Sequence, residues 1–186
     1  MSISVCVPGI SGKMGMEIAK LVSLDNTNIT LSSGVVRDQT KLSQGTFNFD
    51  QKIIFSDLNH AISNCDVCVD FTRPEYSMKI ISECIKQNKK LIIGTTGFSK
   101  SQIKEIELAS KEISILKSSN MSIGINLCLK LVEKATSSVG DNSDIDIIEH
   151  HHKHKVDMPS GTSLAFEDMI KNNLSDHKDI NHHCLR

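Results

Sequence analysis

The segment Ile3-Ser4-Val5-Cys6-Val7-Pro8-Gly9-Ile10-Ser11-Gly12-Lys13-Met14-Gly15 decides how the rest of the chain is read. Ile3 to Val7 is a short apolar run of the kind that forms a buried strand. The glycines at 9, 12 and 15 then make a GxxGxxG turn, and from about Lys13 to Leu24 the residues Met14, Ile18, Leu21 and Val22 recur at helical spacing. A strand that turns through glycines into a helix aims backbone amides at whatever lies beyond the turn. Without side chains in the way, a pyrophosphate can come close to them. An ordinary strand–helix turn is the alternative. The strand before, the helix after and the place at the start of an alternating chain favour a nucleotide.

Outward from this turn the alternation continues. Ile29 to Val35 and Ile53 to Phe55 read as strands. Cys65 to Phe71 is a further β-rich run, stopped at Thr72-Arg73-Pro74 by the proline. A helix follows from about Glu75 to Gln87, with Met78, Ile81 and Ile85 on one face. Leu91 to Ile93 runs as a strand into Gly94-Thr95-Thr96-Gly97. Ser99-Lys100-Ser101-Gln102 is a capping box that opens a helix with Ile103, Ile106 and Ala109 inward, and Ile113 to Leu116 is another strand. This pattern predicts an α/β fold, a Rossmann-type doubly wound parallel sheet. Ligands of such sheets lie beyond the carboxyl ends of the strands, where Gly9, Thr72, Gly94 and Asn120 fall.

From about Ser122 the texture changes. Leu127, Cys128, Leu131, Val132 and Ala135 predict a long helix ending near Gly140, Ile145 to Glu149 a strand, and Phe166, Met169, Ile170 and Leu174 a last helix. Ser175 to Arg186 is polar and without pattern. The expected division is a dinucleotide-binding domain over 1–121 and a partial α+β domain over 122–186.

With 21 basic and 22 acidic residues among 186, the net charge of -1 argues against a nucleic-acid or membrane-surface partner. No apolar run approaches a membrane span of about 18 residues, and the first residues lack a signal peptide's features, so a non-exported, cytoplasmic protein is expected. The six cysteines then read as reduced core residues. Cys65-Asp66-Val67-Cys68 has a metal-site spacing, but residues three apart in a strand face opposite ways. Only three of the 21 basic residues are arginines (Arg37, Arg73 and Arg186), so an arginine at a motif position stands out.

Arg37 is such a residue, lying about twenty residues past the glycines, where a ribose-reading group belongs. An arginine there suits the extra phosphate of NADP, whereas a surface arginine after a strand is the plain alternative. Asp38 would serve NAD if the strand ran one residue further. The stretch from His150 to Thr162 carries His150, His151, His152, Lys153, His154 and Lys155, and then a Pro159-Ser160-Gly161-Thr162 turn. His150, His152 and His154 share a face if the strand continues, which would suit a metal. The lysines oppose a second cation, and a Ser-Gly-Thr turn opening a helix binds carboxylates. An anionic-substrate site therefore ranks ahead of a metal and of a solvated loop.

In this stretch, Glu149-His150-His151-His152-Lys153-His154-Lys155-Val156-Asp157-Met158-Pro159-Ser160-Gly161-Thr162, the chain resembles the dihydrodipicolinate reductases. The glycine loop, Asp70-Phe71-Thr72-Arg73-Pro74, Gly94-Thr95-Thr96-Gly97-Phe98 and Asn120-Met121-Ser122-Ile123-Gly124-Ile125-Asn126 support the likeness. The resemblance implies reduction of 4-hydroxy-tetrahydrodipicolinate, a cyclic imine dicarboxylate of lysine and diaminopimelate biosynthesis, by NADPH, with NADH as the other carrier. It implies cofactor contacts at Gly9, Ile10, Ser11, Gly12, Lys13, Met14, Arg37, Gly94, Thr95, Thr96, Ser118, Ser119, Asn120 and Met121. It makes His151 and Lys155 catalytic, gives His152, Gly161 and Thr162 to the substrate carboxylates, and implies a homotetramer without metal. Val36 replaces the family's usual acid before the arginine, which tilts the cofactor toward NADPH. Family members continue past residue 186, so the chain reads as carboxy-terminally truncated.

Overall fold

The opening strand β1 (Ile3–Pro8) lies at the centre of a parallel sheet because both its faces are apolar. Val5 and Val7 point into one cluster, with Ile10, Ala19, Val36 and Ile54. Cys6 points into the other, with Val35, Ile62, Cys68, Ile80, Leu91, Ile93 and Ile106. A strand buried on both sides needs helices on both sides, which is the doubly wound layout. The computed structural model describes residues 2–24, 28–37, 50–153, 155, 158–176 and 178–186, in two compact units that divide between Ser118 and Ser119.

The first unit runs β1, α1 (Lys13–Val22), β2 (Ile29–Val35), a 3-10 turn (Gln51–Ile53), β3 (Ile54–Phe55), α2 (Leu58–Ser63), β4 (Val67–Asp70), α3 (Pro74–Lys86), β5 (Lys90–Ile93), α4 (Lys100–Ala109) and β6 (Ile115–Lys117). All six strands are parallel, in the order β3-β2-β1-β4-β5-β6. The order reverses direction at β1, so the β1 and β4 ends flank the crevice where such sheets bind ligands.

Three details differ from the sequence reading. Helix α2 carries too few apolar residues (Leu58, Ala61 and Ile62) to show a period, and Asp57 caps it by accepting from the Asn59 amide. Helix α1 buries Gly15 and Ala19 and leaves Met14 and Leu21 exposed. It packs so close to the turn before it that only small residues fit on that face. The capping box of α4 forms as expected, with Ile106 and Ala109 buried, but Ile103 is exposed.

The second unit comprises α5 (Ile123–Val139), β7 (Asp146–His150), α6 (Gly161–Lys171) and β8 (Asn181–Leu185). Helix α5 packs on α6 and α6 on β7, while β7 and β8 form a parallel pair. Strand β8 arises inside the polar segment 175–186. Its inward positions are His182 and Cys184, so no apolar alternation betrays it. His182 is satisfied on both ring nitrogens, by Ser163 Oγ at 2.9 Å and Glu167 Oε2 at 3.0 Å. Among the described residues no helix is long and apolar enough to cross a membrane.

Candidate active site

At the end of β1 the chain turns through Gly9, whose φ of +70° is open to glycine at no steric cost. A Cβ on Gly15 would stand 2.4 Å from the Gly9 carbonyl oxygen, so both glycines are needed to fold α1 against its own entry turn. The N-cap of α1 is Gly12, which has no side chain to satisfy the first-turn amides. Beside this end lies a cavity of about 540 Å³, lined by Gly9, Ser11, Gly12, Val35, Val36, Arg37, Ser56, Phe71, Thr72, Arg73 and Tyr76. The N-cap of α3, Arg73, also makes no side-chain cap. Two helix starts, two guanidiniums and four hydroxyls (Ser11, Ser56, Thr72 and Tyr76) around one cavity form a donor set suited to phosphates. A dinucleotide fits these residues.

Asp70, at the end of β4, ties this cavity to the next loop. Its buried carboxylate accepts from the Thr72 amide at 2.9 Å, from Thr72 Oγ1 at 2.5 Å, from Ser77 Oγ and from Thr95 Oγ1 at 3.1 Å. Its carbonyl accepts from the Gly94 amide at 2.8 Å. The loops after β4 and β5 therefore hang on one side chain. Removing it would leave buried hydroxyls unsatisfied, at about 1–3 kcal/mol each.

In the second unit, Glu149 and His151 are two apart in extended chain and share a face. Glu149 Oε2 lies 2.9 Å from His151 Nε2, and Oε1 accepts from the Ser160 amide at 2.9 Å and from Cys184 Sγ at 3.1 Å. Burial disfavours the Glu149 carboxylate, but the bonds from Ser160, His151 and Cys184 outweigh it and hold its pKa down at about 2. Ser160 then caps α6 through the Ser163 amide, which places Gly161 and Thr162 in the first helical turn. A Cβ on Gly161 would meet nothing within 4 Å, so there is room over that turn. Thr162 Oγ1 accepts from Asn120 Nδ2 at 3.4 Å.

Of the expected cofactor contacts, Gly9, Ser11, Gly12 and Arg37 share the cavity. Ile10 is buried beneath the turn, and Lys13 and Met14 are exposed on the first turn of α1. Thr95 is buried on Asp70, Gly94 is half-buried and Thr96 is exposed. Ser118 donates its amide to Ile93 O in the first unit, and Ser119, Asn120 and Met121 belong to the second. His152 is exposed, Lys155 is half-buried, and the Lys155 amide donates to His152 O at 3.1 Å.

Asp38, His154 and Asp157 lie outside the described residues. Strand β7 ends at His150, so the alternation proposed for a metal does not reach His152. Among the described residues no group of three His, Cys, Asp or Glu could hold a metal ion. Cys65 precedes β4, its thiol donates to Ile62 O at 3.3 Å, and it lies in the same buried cluster as Cys6 and Cys68, correcting the expectation of opposite faces. Hydrogen bonding to Cys6 and burial push the Cys65 and Cys68 thiols well above the ordinary range.

Asp70 and Glu149 stand in the motifs quoted above with no role attached to either. The signals were there: an acid closing a buried strand with hydroxyls two and seven residues on, and an acid two residues before a histidine.

The chain matches a family model described as dihydrodipicolinate reductase, N-terminus, over residues 3–121, and one described as dihydrodipicolinate reductase, C-terminus, over 124–186. It is 38% identical over 189 residues to the 4-hydroxy-tetrahydrodipicolinate reductase of Buchnera aphidicola subsp. Schizaphis graminum, covering 97% of this chain and 67% of that protein. To the protein of the same name from Buchnera aphidicola subsp. Baizongia pistaciae it is 39% identical over 169 residues, 88% of this chain and 62% of that one. The chain thus spans about two thirds of these relatives' length. Among solved structures, the dipicolinate-bound dihydrodipicolinate reductase from Paenisporosarcina sp. TG-14 superposes with a TM-score of 0.82 at 26% identity, over 100% of this chain and 79% of that chain. A scyllo-inositol dehydrogenase from Lactobacillus casei shares the fold alone, with a TM-score of 0.60 at 11% identity over 81% and 45% of the two chains.

Proposed function

Since the chain belongs to the dihydrodipicolinate reductase family, we propose that it reduces 4-hydroxy-tetrahydrodipicolinate to tetrahydrodipicolinate, with NADPH preferred over NADH. The observation that carries this is the Glu149 network, which holds a histidine and an open helix start with room for a carboxylate on one side chain. NADPH supplies the hydride when bound. The uncapped start of α1 and the Arg37 and Arg73 guanidiniums hold its phosphates, and Arg37 with the uncharged Val36 favours the form with the extra phosphate.

Gly161 and Thr162 take one substrate carboxylate and His152 the other, so the dianion is oriented before it reacts. Loss of the hydroxyl with a neighbouring ring hydrogen as water leaves a conjugated imine, hydride addition to that imine leaves negative charge on the substrate, and His151 with Lys155 delivers the proton that quenches it. One substrate, one NADPH and one proton thus give product, NADP and water. The reading carries with it the family's homotetramer and a cytoplasmic setting.

The test is substrate-dependent loss of NADPH absorbance by the purified chain. Turnover that is faster with NADPH than with NADH, and a ratio that collapses in Arg37→Ala, is expected. NADPH binding without turnover overturns the reductase reading for this chain, and equal use of both carriers overturns the preference.

A further inference from the structure

We infer that Glu149 is the positioning residue of this site: it holds the neutral His151 ring with its proton on Nε2 and so makes Nδ1 the atom that hands a proton to the substrate. The inference rests on the reductase reading above. Three groups converge on the Glu149 carboxylate, the Ser160 amide, the Cys184 thiol and the His151 ring, and the carboxylate is only 9% exposed. An ionised carboxylate accepts and never donates, so the nitrogen facing it at 2.9 Å carries the hydrogen. The two ring nitrogens of histidine are distinct, and the bond made by one decides what the other does. With Nε2–H committed to Glu149, the lone pair of the neutral ring sits on Nδ1.

When His151 is charged, the proton that leaves comes from Nδ1. It passes to the substrate atom that gained electron density from the hydride, and the ring is left neutral with Nε2–H still bonded to Glu149. The carboxylate steadies the charged ring beforehand and fixes its plane, as the acid does in hydrolase triads. The same side chain, through Oε1, fixes the amide that precedes Gly161 and Thr162. One residue therefore sets both the ring and the carboxylate-binding turn.

The whole chain, labelled with 15N at histidine, decides the matter by NMR at about pH 9, above the ordinary imidazole range. His151 is identified by the signal lost in His151→Gln. The expected result is a neutral ring protonated at Nε2. In Glu149→Gln the amide oxygen stays on the Ser160 amide and its NH2 group faces the ring, so Nε2 must accept and the proton moves to Nδ1. A purely structural latch would leave the tautomer unchanged, and an Nδ1–H ring in the unmodified protein, or one tautomer in both proteins, overturns the inference.

In turnover, Glu149→Gln is expected to lose about a hundredfold in kcat, within what a positioned acid supplies, with KM changed far less. The double variant with His151→Gln is expected to be no slower than His151→Gln alone. Turnover without the expected tautomer sinks the inference and leaves the reductase reading standing. The tautomer without turnover fails the reductase reading and Nδ1's part in it, while the dyad remains.

Discussion

The two units hold themselves together by different means. Of the 22 buried apolar residues among those described, 20 lie in the first unit, and only Ile170 and Ile180 in the second. The second instead exposes Ile123, Leu127, Leu131 and Val139 along α5 and Ile148 and Leu185 on its sheet. What orders it is polar. Lys178 Nζ donates to the carbonyls of Gly140, Asp141 and Ser143, and Asp141 takes both the amide and hydroxyl of Ser175. Glu149 and His182 bind strands to helix in the same way. Non-directional burial makes a firm scaffold, whereas hydrogen bonds fix atoms to particular angles. The cavity beside Gly9 accordingly stands on a packed sheet, and the Glu149–His151 pair on a bonded frame.

The sharpest way to break this contrast is to cut one large apolar side chain from each unit. Ile80→Ala, at a fully buried site, is expected to cost about 2–5 kcal/mol by chemical denaturation. Leu131→Ala, more than half exposed, is expected to change stability by less than about 0.5 kcal/mol. Equal losses would mean that the second unit depends on apolar burial after all.

Gly15→Ala follows. Alanine raises helix propensity by about 1 kcal/mol, but its Cβ meets a backbone oxygen at 2.4 Å that cannot swing aside. Overpacking of about 1–3 kcal/mol outweighs the gain, so a lower melting temperature and weaker NADPH binding are expected. A more stable protein with unchanged affinity would show that α1 can retreat from its turn.

The smallest effect is one of pH. Glu149 titrates at about 2 in the folded chain against an ordinary 4.5. Because the folded value is the lower one, the stability it contributes is complete above about 4.5 and is lost as acid carries the protein down toward 2. Asp141, held down by Ser175, and Glu167, held down by Lys171 and His182, move the same way in the second unit. Glu149→Gln is expected to flatten the acid limb of a melting-temperature profile, and an unaltered slope between pH 5 and pH 2, each being about the edge of the window, would discount the bonded frame as a source of stability.

The same contrast explains what could be read from the chain beforehand. Parallel strands buried on both faces announce themselves as apolar runs, so Ile3 to Val7 and Leu91 to Ile93 were legible, as was the Ser99–Gln102 box. Strand β8 was not, since His182 and Cys184 occupy its inward positions and are satisfied by partners 35 residues or fewer away that no local pattern reveals. In the site, residue types at motif positions were readable. The sharing of Asp70 by two loops, and of Glu149 by a ring and a turn, was not, because each depends on strands becoming neighbours. The exposure of Met14 and Leu21 on α1 has the same origin, in the closeness that Gly15 allows.

The cluster of Cys6, Cys65, Cys68 and Cys84 has a consequence of another kind. These thiols are shut away at the centre of the first unit, while Cys128 is exposed and Cys184 partly so. A thiol reagent meets the folded chain as a protein with few reactive sulfurs and the opened chain as one with six. The sheet thus carries its own count of how often it opens, readable as the mass the reagent adds, with no residue to change.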